Sequence, residues 1–216
     1  MSFFSAFLDI LFPPRCVFCR KIISGGGKVC SECVKSLPET FSNACQKGDF
    51  FSVCVSPLYY EDNVRESLLR FKFNGATGNA SVYAEYLAKC ISAELSGRYD
   101  LISWVPLSKK RYKERGYDQA MLLAMATALE LDDVAVSTLE KTVHVKKQST
   151  MGSPEKRRAN ISGAYSAPDR ELIQGKRILL IDDIVTSGST LSECARTLRA
   201  AGAAEVLCAT VARSRD

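Results

Sequence analysis

The chain has 216 residues, a net charge of +5, 46% hydrophobic residues and 25% charged ones. That length holds one substantial domain plus an appendage, and the composition excludes a disordered or fibrous chain. The modest positive charge favours anionic ligands without by itself implying nucleic acid.

Phe3, Phe4, Phe7, Leu8 and Leu11 recur at helical spacing, which predicts a short amphipathic helix over 2–12, stopped by Pro13 and Pro14. Such a helix packs on the next domain more readily than on a membrane. The stretch has no basic leader and carries Asp9 in its middle, so it does not read as a secretory signal, and nothing in the sequence reads as a membrane span. Nine cysteines, an odd count without a secretory signal, point away from a disulfide framework and towards a cytoplasmic location.

Cys16-x-x-Cys19 and Cys30-x-x-Cys33 then flank a turn at Gly25-Gly26-Gly27. Each CxxC aims two thiolates at one centre, and two such knuckles complete a tetrahedral Zn²⁺ site. Redox thiols are the alternative, but no βαβ context surrounds them. Four cysteine ligands leave no open position, so the metal is read as structural. Cys45 and Cys54 lack CxxC partners and are read as small buried side chains rather than as a second knuckle.

Residues 34–56 read as a linker into the main domain. Apolar stripes predict helices over 64–73 and 81–95, then a strand over 99–105 closed by Pro106. The next segment concentrates Lys109, Lys110, Arg111, Lys113 and Arg115 and is expected to form a basic loop. It precedes a helix over 119–131 with Asp118 as its N-cap. The polar, basic stretch 141–162, broken by Gly152 and Pro154, resembles a mobile loop more than a packed element. Its His144 has no matching Asp or Ser and is read as incidental.

The chain is organised around 177–190, RILLIDDIVTSGST. Ile178 to Ile181 form the apolar run of a buried parallel strand, expected to end in an acidic tip, Asp182-Asp183. Thr186, Ser187, Gly188, Ser189 and Thr190 form a hydroxyl-rich turn before a helix stopped by Gly202. Such a turn offers hydroxyls and amides to a phosphate. Two carboxylates repel phosphate but accept hydrogen bonds from sugar hydroxyls or hold hydrated Mg²⁺. Together they specify a ribose phosphate.

This stretch resembles the phosphoribosyl pyrophosphate (PRPP) motif of type I phosphoribosyltransferases; an acidic strand end in another α/β fold is the alternative. The wider order is more specific. A PPR leader, the four-cysteine knuckle, VPL, Arg115 to Gln119 (RGYDQ), Gln148, EKRRANISGAY with Arg157 and Asn160, and then the PRPP motif resemble the ComF/GntX family over nearly the whole chain. Two departures stand out: Asp118 replaces the family's usual Asn, and Met151 its more usual Leu.

The resemblance implies an α/β, type I phosphoribosyltransferase-like parallel sheet flanked by helices over 49–216, behind an N-terminal helix and zinc module over 1–48. It implies that Asp182 and Asp183 contact the ribose and the water shell of Mg²⁺, and that Thr186 to Thr190 hold the ribose phosphate. Lys109, Lys110 and Arg111 would neutralise the pyrophosphate, with Arg157 closing over it. It further implies a link to natural competence, DNA uptake and competence proteins. The sequence names no acceptor and no oligomeric state. It therefore leaves three functions open: a transferase, a single-stranded DNA accessory protein, and a PRPP-sensing regulator.

Overall fold

The computed structural model describes residues 13–23, 27–41, 44–142 and 163–215. The helix expected over 2–12, the turn glycines Gly25 and Gly26, His144, Gln148, Met151, Arg157 and Asn160 lie outside them.

A six-stranded sheet forms the frame. Strands β1 (Cys45–Gln46), β2 (Val53–Val55), β8 (Glu205–Arg213), β7 (Arg177–Val185) and β4 (Leu101–Trp104) lie in that order, and β3 (Leu58–Tyr59) also pairs with β8. Every pairing but that of β1 is parallel. Strand β7 is central because Ile178, Leu179, Leu180 and Ile181 are buried on both faces, as a strand covered by two layers must be. The 34–56 segment is not merely a linker: β1 and β2 arise within it, and β2 joins the central sheet. Val53-Cys54-Val55 is too short to carry a periodic signal, yet all three residues are buried against β8. Pro57, which has no amide hydrogen, separates β2 from β3.

One face is covered by α2 (Asp62–Phe73), α3 (Ala80–Glu94) and α5 (Gln119–Glu130), through Val64, Leu68, Phe71, Tyr83, Leu87, Ile91 and Leu123. Helix α1 (Ser31–Ser36) lies in the cysteine module. The other face of the sheet carries Ile173 of the short α6 (Arg170–Ile173) and α7 (Ser189–Ala200), whose Leu191, Cys194, Ala195 and Leu198 follow helical spacing. An antiparallel ribbon, β5 (Glu140–Lys141) with β6 (Tyr165–Ser166), packs there and forms the stem of the 143–162 segment. Each fully buried aliphatic or aromatic side chain contributes roughly 1.5–3 kcal/mol relative to exposure.

The basic segment expected as a loop is instead a helix, α4 (Lys109–Arg115). Ser108 caps it by accepting from the Arg111 amide at 3.3 Å, and Gly116 ends it with φ +80°. Between those caps the long side chains are good helix formers. Cys54 is buried as expected, but Cys45 is exposed, because it lies on edge strand β1 with its thiol towards Glu94.

Candidate functional site

Strands β4, β7 and β8 are parallel, so their carboxyl ends meet at one edge of the sheet, where open α/β sheets bind ligands. Asp182 and Asp183 lie within β7 rather than beyond it, since the strand continues through Ile184 and Val185. Successive strand residues point to opposite faces. Asp183 pairs with Lys72 of α2 at 3.0 Å, while Asp182 is within electrostatic reach of Lys141 and Tyr165 on the ribbon.

Asp183 is only 4% exposed, and its Oδ2 is buried without a hydrogen-bond partner. A buried carboxylate oxygen left so is costly unless a ligand completes it. Asp182 Oδ1 accepts from the Asp183 amide at 2.8 Å. Burial, reinforced by the Asp183 charge, pushes the Asp182 carboxyl up to about 8.

After Val185 the chain enters the exposed Thr186 and Ser187 and reaches Gly188, which holds φ +68° at the N-cap of α7. Gly188 has no side chain with which to cap this helix, and its first amides, like those of any helix, lack intrahelical partners, with the positive end of the helix dipole behind them. Ser187 and Ser189 hydroxyls lie 2.9 Å apart, and Thr190 opens the first turn. Backbone amides, hydroxyls and a left-handed glycine are groups of the kind that can take an anion.

Of the three expected pyrophosphate cations, Arg111 alone lines the cleft that holds Lys72. Lys109 and Lys110 line a separate cleft with Lys113 and Glu114. Arg157 lies outside the described residues. Asp118 is a structural cap: its Oδ1 accepts from the Ala120 and Met121 amides, and its Oδ2 accepts from Leu107 at 2.9 Å.

Sequence reasoning missed Lys72 and Lys141. Lys72 sits on a helix read only for its apolar stripe. Lys141 opens the basic stretch, where nothing distinguishes it from its neighbours. Its ammonium donates to the Tyr165 hydroxyl at 3.0 Å and lies 4.8 Å from that ring's centroid. Burial and the Arg111 charge lower its pKa. The stem beyond it is pinned to α7: the Gly163 amide donates to Glu193 at 2.7 Å, and Arg196 grips the same carboxylate.

The second constellation is the cysteine cluster. The four sulfurs of Cys16, Cys19, Cys30 and Cys33 all lie within 4.8 Å of one another, with Cys19 and Cys30 at 3.6 Å. A tetrahedron with Zn–S bonds of 2.3 Å has sulfurs about 3.8 Å apart, so the residues fit a structural zinc. Against burial, amides of Cys19, Cys30 and Phe18 bring the Cys16 thiol down to about 6, whereas burial pushes Cys19 and Cys33 up, as expected for thiols crowded together. The module is docked on the main fold. The Val17 carbonyl accepts from Ser67 at 2.7 Å and Arg70 at 3.0 Å, the Phe18 carbonyl accepts from Arg70 at 2.7 Å, and Phe18 packs edge-on to Tyr83 and Tyr86.

A helix-flanked parallel sheet behind a four-cysteine cluster is the fold class of a type I phosphoribosyltransferase-like domain with an N-terminal zinc-binding module. The phosphoribosyl transferase domain family matches residues 118–216, and the double zinc ribbon domain family matches 7–50. The chain is 29% identical over 211 residues to competence protein ComFC of Bacillus subtilis (strain 168), covering 92% of this chain and 84% of that one. It is 28% identical over 199 residues to competence protein F of Haemophilus influenzae, covering 89% and 82%. It is also 28% identical over 205 residues to the DNA utilization protein YhgH of Escherichia coli K12, covering 88% and 86%. The resemblance to the ComF/GntX family therefore holds, and the chain is a homologue of these proteins over most of its length. Among solved structures, the Bacillus subtilis glutamine PRPP amidotransferase aligns with a TM-score of 0.43 at 23% identity, over 61% of this chain and 26% of that one; that partial overlap adds nothing to the argument. Among the described residues no helix is long and apolar enough to cross a membrane.

Proposed function

We propose that this protein binds PRPP and transfers its phosphoribosyl group, in a Mg²⁺-dependent reaction, to an acceptor yet to be identified, as part of DNA handling during natural competence. The observation that carries the reading is the buried Oδ2 of Asp183, without a hydrogen-bond partner, on the strand that runs directly into the hydroxyl-lined turn at Thr186 to Thr190. That oxygen accepts a ribose hydroxyl, Asp182 accepts the neighbouring one, and Thr186 to Thr190 hold the ribose phosphate. Arg111 and Lys72 neutralise the pyrophosphate, with Lys109, Lys110 and Arg157 in support. Asp182 and Asp183 would hold the water shell of a Mg²⁺ ion, which would supply further neutralisation of the pyrophosphate. The chain's own contribution is positioning, together with stabilisation of charge as the anomeric carbon becomes oxocarbenium-like. The division we propose is a zinc module within 1–48 and a transferase-like domain over 49–216, with β1 hydrogen-bonded across the boundary.

The competence role rests on the names of the relatives, and zinc on the ribbon match and the cysteine geometry. A second reading, a single-stranded DNA accessory protein, is favoured by the outward cleft of Lys109, Lys110 and Lys113; such binding weakens steeply as salt rises.

Calorimetric titration of the zinc-loaded protein with PRPP, with and without Mg²⁺, tests the main reading. Mg²⁺-dependent binding is expected, and it should vanish when Asp182 and Asp183 are both replaced by Asn. Absence of binding at every Mg²⁺ concentration, or unchanged affinity in the double variant, would sink the assignment.

A further inference from the structure

Strands β1 and β2 form a hairpin that leads out of the zinc module into the sheet, and the turn between them, 47–52, carries Gly48 and Phe51. Gly48 is exposed and lies within the residues matched by the zinc ribbon family. Phe51, just past them, is only 3% exposed. Its ring packs in one cluster with Val185 and Leu191, the buried residues on either side of the hydroxyl-rich turn at Thr186 to Thr190. Two glycines meet the tip of that ring. A Cβ at Gly48 would fall 2.2 Å from the Phe51 Cζ, too close for the two to coexist, and one at Gly188 would lie 3.8 Å from the same atom. Gly188 needs its glycine for a φ of +68°, but Gly48 holds no positive φ, so its missing side chain answers to the ring and not to the backbone.

The inner side of Gly188 therefore faces Phe51 and Val185, while Thr186 and Ser187 are exposed. A turn backed by apolar groups has its amides and hydroxyls answered from its outer side. We propose that Phe51, seated by Gly48, is a positioning residue for the turn that takes the ribose phosphate, a role that rests on the PRPP reading above. The hairpin from the zinc module thus sets the turn from beneath, separately from the contact that α2 makes with Asp183. A methyl group at position 48 displaces the ring. The displaced ring no longer holds Gly188 and the first turn of α7 in the place a bound phosphate requires.

Hydrogen exchange of the unliganded, zinc-loaded full chain tests the seat of the turn. The amide to follow is that of Ser192, which donates to the Gly188 carbonyl at 2.8 Å. Titration with ribose 5-phosphate, which has the ribose phosphate without the pyrophosphate, tests the consequence for binding. Gly48→Ala should speed exchange at Ser192 about threefold or more, leave the amides of α3 unchanged, and weaken ribose 5-phosphate binding to a similar degree. Phe51→Leu should do the same. Gly48→Ala added to Phe51→Leu should have no further effect, because the methyl group then has no ring tip to meet. Gly48→Ala alters an exposed turn residue, so its arm can be read even if Phe51→Leu does not fold. Exchange needs no ligand, which separates the two readings: if it responds in this way while the wild type binds neither ribose 5-phosphate nor PRPP, the PRPP reading fails and the seating of the turn on Phe51 stands. Unchanged exchange at Ser192 in Gly48→Ala, an equal effect of Gly48→Ala with and without Phe51→Leu, or faster exchange with ribose 5-phosphate affinity unchanged would overturn the proposal.

Discussion

Lys72 and Asp183 form a nearly buried ion pair where the proposed PRPP site lies. The ammonium and carboxylate meet at 3.0 Å with side-chain exposures of 19% and 5%, so both have lost most of their hydration, and each is costly without the other. Asp182, one residue earlier, has no such close partner, and burial with the adjacent Asp183 charge brings its carboxyl to about 8. A carboxyl in the unfolded chain titrates near 4. Between those values the folded protein holds the extra proton, so the stability linked to Asp182 is present at the acid end of the window and is lost as pH rises towards 8. The melting temperature of the wild type should therefore fall between pH 5 and pH 8. Asp182→Asn should remove that slope and be more stable than the wild type at pH 8 by about 1–3 kcal/mol. Parallel pH profiles for the two proteins would show that Asp182 titrates normally.

Helix α2 joins the two constellations. Ser67 and Arg70 hold the carbonyls of Val17 and Phe18, which lie between the first pair of cysteines, and Lys72 pairs with Asp183 two residues further on. Phe71 packs edge-on to Tyr83, and its carbonyl accepts from Tyr117 ahead of α5. The zinc knuckle is thus part of the packing that fixes the end of α2. Removing zinc by chelation, or replacing Cys30 with Ser, should expose the amides of 67–72 to hydrogen exchange and weaken PRPP binding about tenfold or more, because Lys72 loses its fixed position. Unchanged exchange and affinity in the metal-free protein would mean that the module is carried without bearing on the site.

At the scale of the whole molecule, the carboxyl ends of parallel strands are brought together with α4, the ribbon and the zinc-anchored α2. A ligand held by residues from several of these elements ties them to one another and shifts unfolding as a unit. PRPP at a hundred times its dissociation constant should raise stability by about 2.7 kcal/mol, or roughly 5–10 °C in a chain of this size. Differential scanning fluorimetry reads that shift directly, and no shift with Mg²⁺ and PRPP present would contradict the proposed function. Much of this plan is legible in the chain itself. The apolar run at 178–181 marks the buried strand, the turn after it marks the start of α7, and the paired CxxC spacings mark the four-cysteine cluster, because local periodicity and ligand spacing survive without tertiary context. Asp118 is legible as a cap for the same reason. The helical form of 109–115 could be read only once Ser108 and Gly116 were seen to cap it, since a run of cations has no apolar face to give it a period. Lys72 and Lys141 were decided by tertiary structure alone: a lysine carries no sign of its partner, and Asp183 and Tyr165 reach them only after distant segments fold together. The two-residue and three-residue strands of 45–59 belong with them, being too short to show a pattern and fixed by the edge of β8 against which they pack.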